Sequence, residues 1–152
     1  MRGLRIPPSN PSASTADFLR LHHIGYVVNN IETTMLGFAR SLNGVWDQEI
    51  FSDPIQKVRV AFLSPPGSEA QIELVQPEWE TSPVRAFLER GGGLHHLCYE
   101  VEDCKNSLSA MHERGGTILR NPKPAVAFGG RRIAWALTAE KLLLEFLEIR
   151  LR

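Results

Sequence analysis

A His-His pair in an apolar setting occurs twice in this chain, as Leu21-His22-His23-Ile24 and again as Leu94-His95-His96-Leu97, 73 positions later. Two further segments keep the same register. Val58-Arg59-Val60-Ala61-Phe62 resembles Arg131-Arg132-Ile133-Ala134-Trp135, again 73 positions on, and Ile72-Glu73-Leu74-Val75 resembles Leu144-Glu145-Phe146-Leu147 at 72. One such match arises easily by chance, but three at a common offset indicate a duplicated unit. A duplicated unit constrains the whole fold, because each copy must bury its open face against the other.

The local pattern within each copy is the same. Leu21 to Val28 reads as a strand, Asn29 and Asn30 can cap a helix, and Ile31, Met35, Phe38, Ala39 and Leu42 fall at helical spacing up to Asn43-Gly44. Strand-like stretches follow at Val45 to Phe51, Lys57 to Leu63 and Gln71 to Val75, separated by Asp53-Pro54 and Pro65-Pro66-Gly67 turns. A short helix opens at Ser82-Pro83 and ends at Gly91-Gly92-Gly93. The second copy runs as a strand from Leu94 to Val101, a helix capped by Asp103 and stopped by Gly115-Gly116, and strands near 117–120, 131–137 and 142–149.

The expected fold is therefore α+β, with two tandem βαβββ modules forming a curved mixed sheet around a cleft. Repeat one spans about 20–77 and repeat two about 93–149, within a single domain over 19–152. Residues 1–18, rich in Pro, Ser and Asn, read as a flexible leader.

Strand alternation then assigns faces. Ile72 and Leu74 oppose Glu73, and Leu144 and Phe146 oppose Glu145, so the apolar sides offer platforms for the helices. His23, Glu73, His96 and Glu145 belong to the other, concave side, where the two halves can bring them together. Two imidazoles and two carboxylates make an N/O donor set for a borderline divalent ion, with coordination positions left for substrate. Co, Mn, Ni, Zn and Fe(II) all suit it, and the lack of a thiolate in register argues against a structural zinc. His22 and His95 fall on the helix side by the same count and are read as core or supporting residues. Arg59 and Arg132 alternate against Val58, Val60 and Ile133; on a cleft-facing side they would bind an anionic substrate group.

Other chemistries fit less well. Gly91-Gly92-Gly93 lies between a helix and a strand, the wrong context for a phosphate loop. Cys98 shares a face with His96, but a Cys-His nucleophile needs a histidine free of metal. Seventeen basic and seventeen acidic residues cancel, giving no field for nucleic acid or an anionic membrane. No apolar run approaches the ~20 residues of a membrane span. Cys98 and Cys104, the two cysteines, are expected as free thiols in a cytoplasmic protein.

The repeat, the His/Glu positions and the stretch Ser82 to Val101 resemble the vicinal oxygen chelate superfamily, with glyoxalase I, extradiol dioxygenases, fosfomycin-resistance proteins and methylmalonyl-CoA epimerase among its branches. The likeness is closest to the epimerase branch and covers about residues 20–149. It implies that His23, Glu73, His96 and Glu145 are the metal ligands, that Glu73 and Glu145 are the catalytic carboxylates, and that the protein is a homodimer. It implies proton exchange at the carbon alpha to the carbonyl of an acyl-CoA-like thioester, a small anionic substrate. One departure stands out. Some epimerases carry a second glutamate on the third strand, where this chain aligns Arg59, and an arginine cannot act as a base at neutral pH. The segment Ala127 to Trp135 also differs from that branch. The alternatives are a glyoxalase-I-type isomerase of a thiol hemithioacetal, using the same four ligands, and a non-enzymatic small-molecule binder of the same fold.

Overall fold

The computed structural model describes residues 18–151. The leader expected over 1–18 therefore lies outside the described residues, except for Phe18, whose ring packs edge-on against Tyr99 at 5.0 Å. The first copy forms β1 (Arg20–Val27), α1 (Ile31–Leu42), β2 (Phe51–Asp53), β3 (Val58–Leu63) and β4 (Gln71–Pro77). A short α2 (Arg85–Glu89) leads to the second copy: β5 (Gly93–Val101), α3 (Cys104–Glu113), β6 (Thr117–Pro124), β7 (Arg132–Leu137) and β8 (Leu143–Glu148). A 3₁₀ turn, Val126–Phe128, interrupts the passage from β6 to β7.

All eight strands join one curled mixed sheet in the order β2-β3-β4-β1-β5-β8-β7-β6. Each half of that order is one copy. β1 runs parallel to β4, β5 runs parallel to β8, and β1 and β5 meet antiparallel in the middle. The two copies are thus related by a pseudo-twofold axis through the central strand pair. The inner edge of each half, β1 or β5, is covered by its twin, which is why one copy alone would be incomplete.

Capping chemistry sets the helices where expected. The Asn30 side chain accepts from Thr33 N at 2.8 Å to start α1, and Asn43, with φ 49°, ends it in the left-handed conformation. Asp103 accepts from Asn106 N at 3.1 Å to start α3. Both helices pack on the convex side. Ile31 and Met35 of α1 sit on Ala61, Leu63 and Leu74. Cys104, Leu108 and Met111 of α3 sit on Ala134, Ala136, Leu144 and Phe146. Truncating a fully buried side chain such as Met35 or Phe146 costs about 2–5 kcal/mol, so each repeat depends on its own helix.

The expected strand over Val45 to Phe51 is corrected. Only Val45 bridges, to Ser64, and pairing begins properly at Phe51. The Asp47 carboxylate caps Glu49 N at 2.9 Å and Gln48 has φ 68°, so a side-chain-stabilised turn replaces the ladder. Among the described residues, no helix is long and apolar enough to cross a membrane.

Candidate metal centre

Two bulges at the central strand pair shape the site. Between Leu21↔Tyr99 and His23↔Cys98 the extra residue is His22; between Gly25↔His96 and Tyr26↔Leu94 it is His95. The first histidine of each pair is therefore the bulged one. A bulge re-aims side chains, so both members of each pair end up on the same side of the sheet. This corrects the helix-side placement of His22 and His95. Strict alternation had put them on the convex face, but His95 lines the cleft and His22 opens onto the hollow beside it. Their supporting role agrees with the geometry: Nδ1 of His22 lies 2.8 Å from Nδ1 of His23, and Nδ1 of His95 lies 2.9 Å from Nδ1 of His96.

With those contacts orienting the rings, the Nε2 atoms of His23 and His96 face each other at 3.2 Å. Glu73 Oε2 is 3.1 Å from the first and 3.2 Å from the second. Glu145 approaches from the opposite half, with Oε2 3.4 Å from His96 Nε2 and Oε1 3.9 Å from His23 Nε2. All four side chains are buried, and one donor atom from each lies within 4.8 Å of the others. The four expected ligands therefore converge.

A metal suits this arrangement on the chemistry of the donors. Ligands held at roughly 2.0–2.2 Å from one ion lie within roughly 4.4 Å of each other, which the measured 3.1–3.9 Å satisfies. Glu73 Oε2 is buried without a hydrogen-bond donor. Two imidazole nitrogens and two carboxylates turned on one point need a positive charge there. Among side chains alone, a proton supplies it. Burial opposes charge on Glu73, yet His23 and His96 outweigh it and hold its carboxyl well below the usual range. Burial raises Glu145, the two histidines only partly offset this, and Glu73 adds repulsion. Burial also disfavours charge on His23, but Glu73 and Glu145 reverse the balance and raise it. His22 and His95 are pushed down to about 4, first by burial and then by the adjacent His23 or His96, which keeps both supporting rings neutral.

The backbone makes room for the site asymmetrically. Gly25 on β1 pairs with His96, and its pseudo-equivalent on β5, Cys98, pairs with His23. Cys98 is buried, and its thiol donates toward Glu145 Oε1 at 3.5 Å. Burial pushes that thiol well above its ordinary pKa, consistent with a packing role rather than a nucleophile.

Arg59 and Arg132 are not at the site. Arg59 pairs with Glu32 of α1 at 2.8 Å on the convex side, and Arg132 pairs with the buried Glu148 at 2.7 Å. The physical reason is that the cleft itself is apolar: Val58, Val60 and Ile133, the residues alternating against the arginines, line it. The cleft, about 260 Å³, is instead equipped by residues with no motif to advertise them. Arg120 projects from β6, Asp53 from the end of β2, Gln56 from the β2–β3 turn, Trp135 from β7, and Phe128 from the 3₁₀ turn. Phe128 stacks on His23 at 5.8 Å and 18°, and Trp135 meets His96 edge-on at 4.7 Å. The offset of 73 gave one unused clue, since Trp135 is the repeat-equivalent of Phe62, which flanks His23 at 5.7 Å.

A duplicated βαβββ half-barrel with two His–Glu pairs converging in its concave face defines a class of small-molecule proteins built around a candidate metal centre. Comparison with known proteins gives that class a family. The model of the glyoxalase/bleomycin resistance protein/dioxygenase superfamily matches residues 22–135, and the chain belongs to it. An ethylmalonyl-CoA/methylmalonyl-CoA epimerase of Cereibacter sphaeroides is 32% identical over 116 residues, covering 75% of this chain and 84% of that protein. A mitochondrial methylmalonyl-CoA epimerase of Dictyostelium discoideum is 24% identical over 120 residues, covering 76% and 69%. The crystal structure of methylmalonyl-CoA epimerase from Mycobacterium tuberculosis superposes with a TM-score of 0.79 at 25% identity, covering 91% of this chain and 93% of that one.

Proposed function

We propose that this chain is a metal-dependent epimerase of an acyl-CoA thioester of the methylmalonyl-CoA type. The observation that carries the reading is the convergence of His23, Glu73, His96 and Glu145 at one buried point of an apolar cleft, in a chain 32% identical to an epimerase of such thioesters. A bound divalent ion would be held by these four residues and would supply Lewis-acid stabilisation of negative charge on a substrate carbonyl oxygen. Elemental analysis of the purified protein reads the metal's identity among Co, Mn, Ni, Zn and Fe(II).

The protein's own groups do the rest. Glu73 and Glu145 come from opposite copies, on β4 and β8, and meet at the same buried point. In this reading one takes the alpha proton and the other returns a proton. β3 turns Val58 and Val60 inward and Arg59 outward, so that strand offers no third carboxylate. Val60, Val75 and Ile133 with Phe128 and Trp135 exclude water around the reacting carbon, which strengthens every charge interaction there. A cytoplasmic homodimer completes the proposal, with Leu36, Val45 and Leu94 as exposed apolar residues for a partner to cover; sedimentation at several concentrations reads the oligomeric state.

The test is deuterium uptake at the alpha carbon of methylmalonyl-CoA in D₂O, with cobalt-loaded and chelator-stripped protein. Uptake in the loaded protein alone is the expected result. His96→Ala should lose both stoichiometric metal and exchange, and retention of the metal would remove His96 from the ligand set.

A further inference from the structure

Arg120 is the one lysine or arginine among the described residues that lines the cleft. Its direction is built into β6. Pairing with β7 is irregular on both sides of it, between Ile118 and Arg120 and between Arg120 and Lys123, and bulges of this kind turn a side chain out of the regular alternation. The guanidinium is then held from the other copy: Nη1 donates to Gln56 Oε1 at 3.1 Å. Gln56 is itself fixed, because its backbone N–H and that of Ile55 donate to Asp53 Oδ1.

The arginine is also unspent. Arg20, Arg59, Arg131 and Arg132 each reach a carboxylate, whereas Arg120 takes part in none of the ion pairs among the described residues. Asp53 lines the same cleft, but its two oxygens accept three backbone N–H groups, from Ile55, Gln56 and Val126. A half-buried guanidinium with free donors among Val58, Val60, Leu119 and Ile133 lacks an anion.

Register places that missing anion close to the four-residue site. Arg120 is directly opposite Trp135, and Trp135 is directly opposite Glu145. Two strand spacings, roughly 10 Å between backbones, separate the arginine from the ligand carboxylate. A substrate whose carbonyl oxygen lies at the four-residue site can present a neighbouring group to Arg120.

We propose that Arg120, braced by Gln56, reads a carboxylate on the acyl group, so that the cleft selects α-carboxylated acyl thioesters over unsubstituted ones. This rests on the epimerase reading. A bidentate carboxylate suits the planar guanidinium fork, and a neutral acyl group leaves those donors desolvated and unpaired.

Equilibrium binding of methylmalonyl-CoA and of propionyl-CoA to the cobalt-loaded protein tests it, in wild type, Arg120→Met and Arg120→Lys. The expected result is a loss of about 10- to 100-fold for methylmalonyl-CoA in Arg120→Met, with propionyl-CoA changed less than about twofold. Arg120→Lys, which keeps the charge without the fork, should fall between. Equal weakening of both ligands would overturn the proposal by assigning the arginine to the CoA phosphates or the fold. No weakening of either, or no preference for methylmalonyl-CoA in wild type, would overturn it too. Deuterium exchange by the wild type is scored separately: its absence sinks the epimerase reading, while the binding ratios still judge Arg120.

Discussion

Gly25 lies directly beneath the imidazole of His96: a Cβ added there would overlap the ring atoms Cε1, Nδ1 and Nε2. The backbone of one copy thus cedes space to a candidate ligand of the other. Gly25→Ala should displace His96 and lower metal affinity roughly 10- to 100-fold, the range seen when the support of a ligand is lost. Cys98→Ala, at the pseudo-equivalent position, should leave affinity within a few-fold. Metal titration monitored by cobalt absorption, with thermal melts to verify folding, separates the two; equal losses would refute the steric account.

His22 and His95 orient their neighbours through Nδ1···Nδ1 contacts. A ligand presenting Nε2 to a metal carries its proton on Nδ1 and donates it to the adjacent ring. His22→Phe and His95→Phe should each weaken metal binding about 10-fold or more while the four ligands remain. Unchanged affinity in both variants would reduce the bulged histidines to packing.

The two arginines once expected in the cleft should behave differently from each other. Arg59 bonds the exposed Glu32, so Arg59→Met should change stability by no more than about 1 kcal/mol. Arg132 compensates a fully buried Glu148, and Arg132→Met should cost about 3 kcal/mol by removing the guanidinium that balances that carboxylate's charge. Urea unfolding measures both, and substrate binding should be unaffected by Arg59→Met.

Cys98 and Cys104 are both fully buried, and burial, reinforced by Glu148, raises the Cys104 thiol to about 12. At pH 8 neither is a thiolate, so a colourimetric disulfide reagent should titrate both only after unfolding. Rapid labelling of the native protein would show that the core opens locally.

The duplication, the helix caps at Asn30 and Asp103, and the four convergent residues were legible because each depends on local chemistry or on a fixed offset. Side-chain facing was legible only where strands stay regular. His22 and His95 escaped the alternation rule because a bulge belongs to a pair of strands, and one strand's sequence does not show where its partner skips a residue. Arg59 and Arg132 were misplaced for a related reason: β3 and β7 are apolar on both faces, so period alone does not distinguish the cleft from the helix side.

By itself, then, the sequence determined the unit, its repetition and the donor set, since hydrogen-bonding capacity, backbone preference and periodicity are carried by neighbouring residues. Tertiary structure decided what surrounds that set. Arg120 and Gln56 are 64 positions apart, and Asp53 and Val126 are 73 apart; each pair meets across the two copies. Such contacts depend on sheet curl and register, which arise only when both halves have closed on each other.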